Sequence, residues 1–245
     1  MTELIRRAQD LSRRCEQKSI VTNTGFLTPA ECYELSCRLK SEPGQRAVFH
    51  GGHPEAERKT LFFLPFWMEE LPVEEHLHAV RITAEFGTLS HRDYLGAILG
   101  LGIGRQWVGD ILLQGKDAYV LCFEQVQRHI LQQLTHVGRY GVKVEEVALE
   151  EIPAQQRQVK EISFTVQSMR LDAVVGGLFR LSRTQAAEKI RLGAVSLNYA
   201  PCLRPDAFVK PEDIISLRGS GKGRVLETGG TSRKGRLFLN CEIWQ

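Results

Sequence analysis

Between His78 and Val147 the chain changes its apolar rhythm repeatedly, and that alternation restricts the folds open to it. His78 to Glu85 places Val80, Ile82 and Ala84 on one face of a strand. Ser90 then caps a helix through Tyr94, Leu95, Ile98 and Leu99, with Asp93 favourable in its first turn. Ile111 to Leu113 and Tyr119 to Cys122 are short strands joined by a turn containing Gly115, Lys116 and Asp117. Val126, Ile130, Leu131 and Leu134 mark a second helix, and Val142, Val144 and Val147 fall in a last strand region. The order β-α-β-β-α-β is the ferredoxin-like, or RRM-like, arrangement of many RNA-binding and metabolic domains. It does not fix a function. Of the third strand's residues, Tyr119 and Phe123 are aromatic but no basic residue leads into them, so a core or protein-docking role is favoured over base stacking.

On the N-terminal side, Leu4, Ile5, Ala8, Leu11 and Cys15 form one helical stripe. Thr28, Pro29 and Glu31 open a second helix with a capping box, ending near Ser41 before Pro43-Gly44. Two apolar runs follow, Ala47 to Phe49 and Leu61 to Leu64, around the polar turn from Gly51 to Glu55. The expected organisation is α+β with three small domains: an N-terminal α/β domain over 1–72, the RRM-like domain over 73–150, and a C-terminal domain over 165–245. The polar stretch 151–164, with Pro153 and several Gln, is expected to link the last two.

Composition excludes whole classes. Hydrophobic residues at 42% and charged residues at 25% describe a globular chain rather than a disordered one. The near-apolar run from Leu61 to Met68 is too short for a bilayer and is broken by Pro65, so no membrane partner is expected. The N-terminus has no apolar stretch of signal-peptide length, and six cysteines occur without a C-x-x-C pair. The expected setting is reduced and cytoplasmic. The net charge of +3 hides an asymmetry: residues 166–245 hold 13 Lys/Arg against 7 Asp/Glu, a net of +6, while residues 1–165 carry −3. A basic C-terminal third suits a polyanion, or a solvated basic surface.

Within that third, Leu171, Val174, Val175 and Leu178 share a helix face, with Gly176 and Gly177 opposite, where two glycines make sense if something packs closely. Ser182 and Gln185 form a capping box for a second helix whose buried stripe is Ala186, Ala187 and Ile190, with Gly193 placed to end it. Val195 to Leu197 and Ile214 to Leu217 read as strands around a turn at Asn198 to Pro201. A capped, basic helix N-terminus can present N–H groups and cations to phosphates. Arg218 to Arg224 reads as a flexible cationic loop, followed by Arg233, Lys234 and Arg236. Lys222, Arg224, Arg233, Lys234 and Arg236 are therefore candidates for sequence-independent backbone contact.

The string from Arg170 to Asn198 closely resembles the S4-type RNA-binding module, through Arg170-Leu171-Asp172, Leu181-Ser182-Arg183, Ala186, Ile190, Gly193, Val195 and Asn198, with Asp213 and Ile214 closing the pattern. The resemblance implies RNA-facing roles for Arg170, Ser182, Arg183, Thr184, Gln185 and Lys189, and Arg191 is a further basic candidate. Relatives often carry a lysine at the position of Gln185. A second likeness, to YlmH-type S4 proteins, rests on Ser90 to Gly100, Gly109-Asp110-Ile111, Gly51-Gly52, Glu55 to Lys59 and Lys234-Gly235-Arg236. It implies a ribosome-associated, non-enzymatic protein that binds large subunits carrying a stranded peptidyl-tRNA. The implied partners are structured rRNA and tRNA and the large ribosomal subunit, with no DNA expected.

Other motifs do not develop. Gly223 stands where a P-loop needs Ser or Thr after Gly221-Lys222, and Gly100, Gly102 and Gly104 follow a helix rather than open one. His91-Arg92-Asp93 copies a kinase trigram but lacks the Asn, with Ile98 in its place. His50 with His53 and His76 with His78 lack further placed ligands, so neither metal nor cofactor is expected. Arg170-Leu171-Asp172 also resembles a pseudouridine-synthase trigram whose Asp is catalytic. Only 73 residues follow Asp172, and the S4 pattern takes most of them, so Asp172 is expected to begin a helix. An RNA-modifying enzyme and an adaptor linked to cell division are the alternative readings.

Overall fold

The computed structural model describes residues 2–39, 46–154, 159–231 and 235–244. Its backbone divides into two compact units, Met1–Gln155 and Gln156–Gln245.

In the first unit, α1 (Glu3–Lys18) buries Ile5, Ala8, Ser12 and Cys15, with Leu4 and Leu11 of the expected stripe half-buried beside them. β1 (Thr22–Leu27) comes next. The capping box expected before α2 (Pro29–Leu39) is present: the Thr28 N–H donates to Glu31 Oε2 at 2.7 Å and the Glu31 N–H to Thr28 Oγ1 at 3.3 Å. β2 (Ala47–His50) and β3 (Lys59–Phe63) complete an antiparallel sheet in the order β1-β3-β2. Successive side chains of a strand point to opposite faces. Leu61 and Phe63 accordingly pack with α1 and α2, while Phe62 packs on the other side.

That other side is the second sheet of the same unit. It is built from β4 (His78–Ala84), α3 (His91–Gly100), β5 (Val108–Gln114), β6 (Asp117–Cys122), α4 (Glu124–Gln133), β7 (His136–Val137) and β8 (Tyr140–Val147). The strand order is β5-β6-β4-β8-β7, with every pair antiparallel. Val80, Ile82, Ala118 and Val120 face α3 and α4 around Tyr94, Ile98 and Ile130. Ala79, Tyr119, Leu121 and Val147 face Phe26 and Phe62 of the first sheet. The layers run helix pair, three-stranded sheet, five-stranded sheet, helix pair. This explains why Leu61 to Leu64 is continuously apolar: a strand covered on both faces has no polar side to show.

In the second unit, β9 (Val159–Val166) leads to α5 (Leu171–Leu178) and α6 (Arg183–Arg191). β10 (Val195–Leu197), β11 (Ala200–Pro201), β12 (Ile214–Leu217), β13 (Gly221–Thr231) and β14 (Leu237–Trp244) follow. The sheet order is β11-β10-β12-β13-β14-β9. Leu171, Val174, Val175 and Leu178 join Ala186, Ile190, Ile215, Val225 and Leu239 in one core. The close approach expected at the helix glycines is real: a Cβ on Gly177 would stand 2.0 Å from the Phe164 ring.

Three sequence expectations differ from the structure. The end of the 151–164 stretch is strand rather than linker, because Val159 to Val166 pairs with β14 along its whole length. The Arg218–Arg224 segment is a tight turn followed by β13, with Ser216 opposite Lys222 and Ile214 opposite Arg224. Its glycines had read as loop. Gly223 instead lies in the strand, where a Cβ would come 2.9 Å from Leu178 Cδ2. β1, which the sequence left unassigned, is masked by Asn23 and Gly25 and by the register shift between Asn23 and Phe26.

Candidate nucleic-acid interface

α5 begins with a charge the core must accommodate. Asp172 lies in the first turn and is only 5% exposed, and a buried carboxylate is tolerated only when paired. Its oxygens accept from Arg170 Nε at 3.2 Å and Nη2 at 3.1 Å, and from Arg183 Nη2 at 3.1 and 3.0 Å. Burial pushes the Asp172 carboxyl up, but the two guanidiniums outweigh it and hold the pKa below the usual carboxylate range. The arginine side chains keep 43% and 54% of their surface in solvent. One buried anion thus fixes two cations at the protein surface, leaving a net positive charge.

α6 places the neighbouring candidates. Ser182 is its N-cap: the Gln185 N–H donates to Ser182 Oγ at 3.2 Å, and the Ser182 N–H donates to Gln185 Oε1 at 3.0 Å. The Gln185 carbonyl oxygen therefore serves the cap, leaving its amide NH2 as the group to face a ligand. Thr184 and Arg191 are exposed and Lys189 is half-buried. Lys189 and Arg191 sit in the last turn, where cations also favour the helix dipole.

The more C-terminal candidates are placed differently. Lys222 Nζ lies 5.9 Å from the centre of the Tyr199 ring. Arg224 is answered by Glu242 at 2.6 Å and Glu212 at 3.6 Å, so its charge is largely spent within the sheet. Arg236 donates to the Thr165 carbonyl at 3.2 Å. Arg233 and Lys234 lie outside the described residues.

In the first unit, the sheet face that an RRM-like domain would offer to bases is core. Tyr119 is 7% exposed, and Phe123 packs against Phe26 and Trp107 at ring separations of 5.1 and 5.7 Å. No helix of the described residues is long and apolar enough to cross a membrane, and no three described His, Cys, Asp or Glu residues cluster as metal ligands.

Residues 72–151 match the family model described as "Putative RNA-binding domain in YlmH". The chain is 29% identical over 242 residues to "Ribosome-associated protein quality control protein P2" of Bacillus subtilis (strain 168), covering 97% of this chain and 93% of that protein. This chain is similar to YlmH proteins. A solved structure, "Cell division protein ylmH from Streptococcus pneumoniae", shares the fold with a TM-score of 0.54 at 20% identity, over 61% of this chain and 92% of that one.

The YlmH motif residues of the first unit converge on a single carboxylate. Asp110 on β5 accepts from the Glu57 N–H at 2.7 Å and the Arg58 N–H at 3.1 Å, and faces His53 Nε2 at 3.3 Å. Arg58 in turn donates to the carbonyls of Val108 and Phe26, at 3.2 and 2.9 Å. Burial, with Arg58 nearby, lowers Arg105 to about 10. These contacts staple the β2–β3 connection to β5. They give these motif residues an architectural role in this chain.

Two features of the basic site escaped the sequence reading. The sequence around Asp172 points to a helix start, whereas its hold on Arg183 crosses eleven residues. The segment from Pro205 to Val209, which lies against the start of α5, gave no periodic signal.

Proposed function

We propose that this chain is a non-enzymatic RNA-binding protein of the cytoplasm that acts on the large ribosomal subunit in quality control of stalled translation. Its C-terminal S4-type module, 165–245, holds structured rRNA or tRNA, and the domains over 1–72 and 73–150 support it. The observation that carries this reading is the Asp172 cluster. Two half-exposed guanidiniums set side by side suit bidentate contacts to phosphate oxygens, which position a protein on RNA without reading sequence. Lys189 extends the cationic face along α6, Arg191 adds a cation to its last turn, and Lys222, Arg224, Arg233, Lys234 and Arg236 add weaker contributions. Double-stranded RNA is recognised mainly by shape and backbone, so little sequence preference is expected. The name of the Bacillus subtilis relative, a ribosome-associated protein quality control protein, supports the ribosome as the site of action; the large subunit and its peptidyl-tRNA are the finer part of this proposal.

Both Asp172 oxygens are engaged by arginine, which supports a positioning role for this carboxylate over the catalytic one of a pseudouridine synthase. The test is equilibrium binding to a structured RNA hairpin across a salt series. The Arg183→Ala/Lys189→Ala protein should bind more weakly, and the slope of log affinity against log salt should fall by about 1.5 to 2. An unchanged affinity and slope would remove the assignment.

A further inference from the structure

The segment 205–209 is a short strip tied to the start of α5 by its backbone. The Asp172 N–H donates to the Pro205 carbonyl at 2.9 Å, the Leu171 N–H to the Ala207 carbonyl at 2.8 Å, and the Val209 N–H to the Met169 carbonyl at 2.8 Å. Val209 and Met169 are buried and anchor the strip. Arg170 and Phe208 are thereby paired across an antiparallel bridge. The bonds flank that pair rather than join it, and in such pairs the two side chains project to one face with Cβ atoms about 4.5–5.5 Å apart. Phe208 is nevertheless 67% exposed. An isolated exposed aromatic needs no explanation. One held on a rigid strip beside a guanidinium that is itself locked to Asp172 is placed for contact.

We propose that Phe208 is a stacking platform for one unpaired base, with the phosphates flanking that nucleotide held by Arg170 and Arg183. The inference rests on the RNA-binding reading and narrows it. The ligand is a structured RNA with a splayed-out nucleotide, as at a bulge, a loop or a helix end, rather than uninterrupted duplex. Bases freed from a helix are stacked on aromatic side chains whatever their identity, because every base has a π-face. The charge balance permits it: Asp206, paired with Arg204 at 3.3 Å, is the nearby carboxylate besides Asp172, so three guanidiniums stand against two carboxylates.

The experiment uses the full chain and two hairpins, one with an uninterrupted stem and one carrying a single bulged 2-aminopurine. The wild type should bind the bulged hairpin more tightly and change its 2-aminopurine fluorescence. Phe208→Ala should cut affinity for the bulged hairpin roughly five-fold or more while leaving the uninterrupted stem unaffected. Phe208→Trp should keep the preference, and Phe208→Leu, apolar but without a π-face, should lose it. Arg183→Ala should weaken both RNAs. A Phe208→Ala or Phe208→Leu protein that keeps the preference and the fluorescence change overturns the stacking role, as does equal weakening on both hairpins. A wild type that binds neither RNA overturns the RNA-binding reading itself.

Discussion

Asp172 and Arg183 are eleven residues apart in the chain, on different helices, and meet at 3.0 Å with the carboxylate buried and the guanidinium half in solvent. The core accepts the anion because the arginine answers it, and the arginine is aimed outward because the anion is fixed. Arg170 completes the arrangement on the other side of the same carboxylate.

The first prediction separates positioning from bulk charge. Asp172→Asn keeps the shape and makes the surface one charge more positive. If charge alone held RNA, affinity would rise. With aim as the controlling factor, affinity for a structured hairpin should fall. The C-terminal unit should also lose about 1.5–3 kcal/mol, the worth of hydrogen bonds to a charged group, read by chemical denaturation.

The second concerns acid. The folded-state pKa of Asp172 lies below its ordinary value, because its two arginines favour the ionised form more than burial opposes it. A depressed carboxylate contributes stability that is fully present above the unfolded value, about 3.9, and is lost as pH falls through the folded value. The stability difference between wild type and Asp172→Asn should therefore be flat from neutral pH to about 5 and shrink only below about 4. A difference that already shrinks between pH 7 and 5 would contradict this origin.

A third prediction tests the packing beneath the site. Gly177→Ala would drive a methyl to 2.0 Å from the Phe164 ring, and overpacking of this kind costs about 1–3 kcal/mol. Phe164→Leu should relieve part of that cost in the double variant, giving a favourable coupling in a double-mutant cycle. Strictly additive losses would place the strain elsewhere.

Much of this architecture was legible. The capping boxes at Thr28 and Ser182 and the N-cap at Ser90 were readable because a cap is a local contract between residues three apart. The β-α-β-β-α-β order was readable because one face of each element is uniformly apolar. What escaped depends on contacts distant in sequence. β13 hides behind glycines, one of which, Gly223, makes room for Leu178. Arg224 reads as a free cation until Glu242 on the next strand appears beside it. Asp172 gives no local sign of its partner Arg183, eleven residues on, and Phe208 follows a stretch with Pro201 and Pro205 and without rhythm. The YlmH motif around Gly51-Gly52 and Asp110 was visible, but its joint duty as a buried staple was not.

The fourth prediction follows from that staple. Burial raises the Asp110 carboxyl, but His53 and the Glu57 and Arg58 amides hold it below its ordinary range. Asp110→Ala leaves two backbone N–H groups without their acceptor and should cost the first unit about 1–3 kcal/mol. The basic site belongs to the other unit, so hairpin affinity at low temperature should remain that of the wild type.

The central claim is that the arginine face on Asp172 and α6 carries the protein to the ribosome. It is tested most directly by sedimenting tagged full-length protein from lysate through sucrose gradients at low and high salt, wild type beside Arg183→Ala/Lys189→Ala. The wild type should travel with free large subunits at low salt and leave them at high salt, as phosphate-dominated binding requires. The double variant should stay near the top at both. Co-migration of the double variant with large subunits, indistinguishable from wild type, would contradict the account.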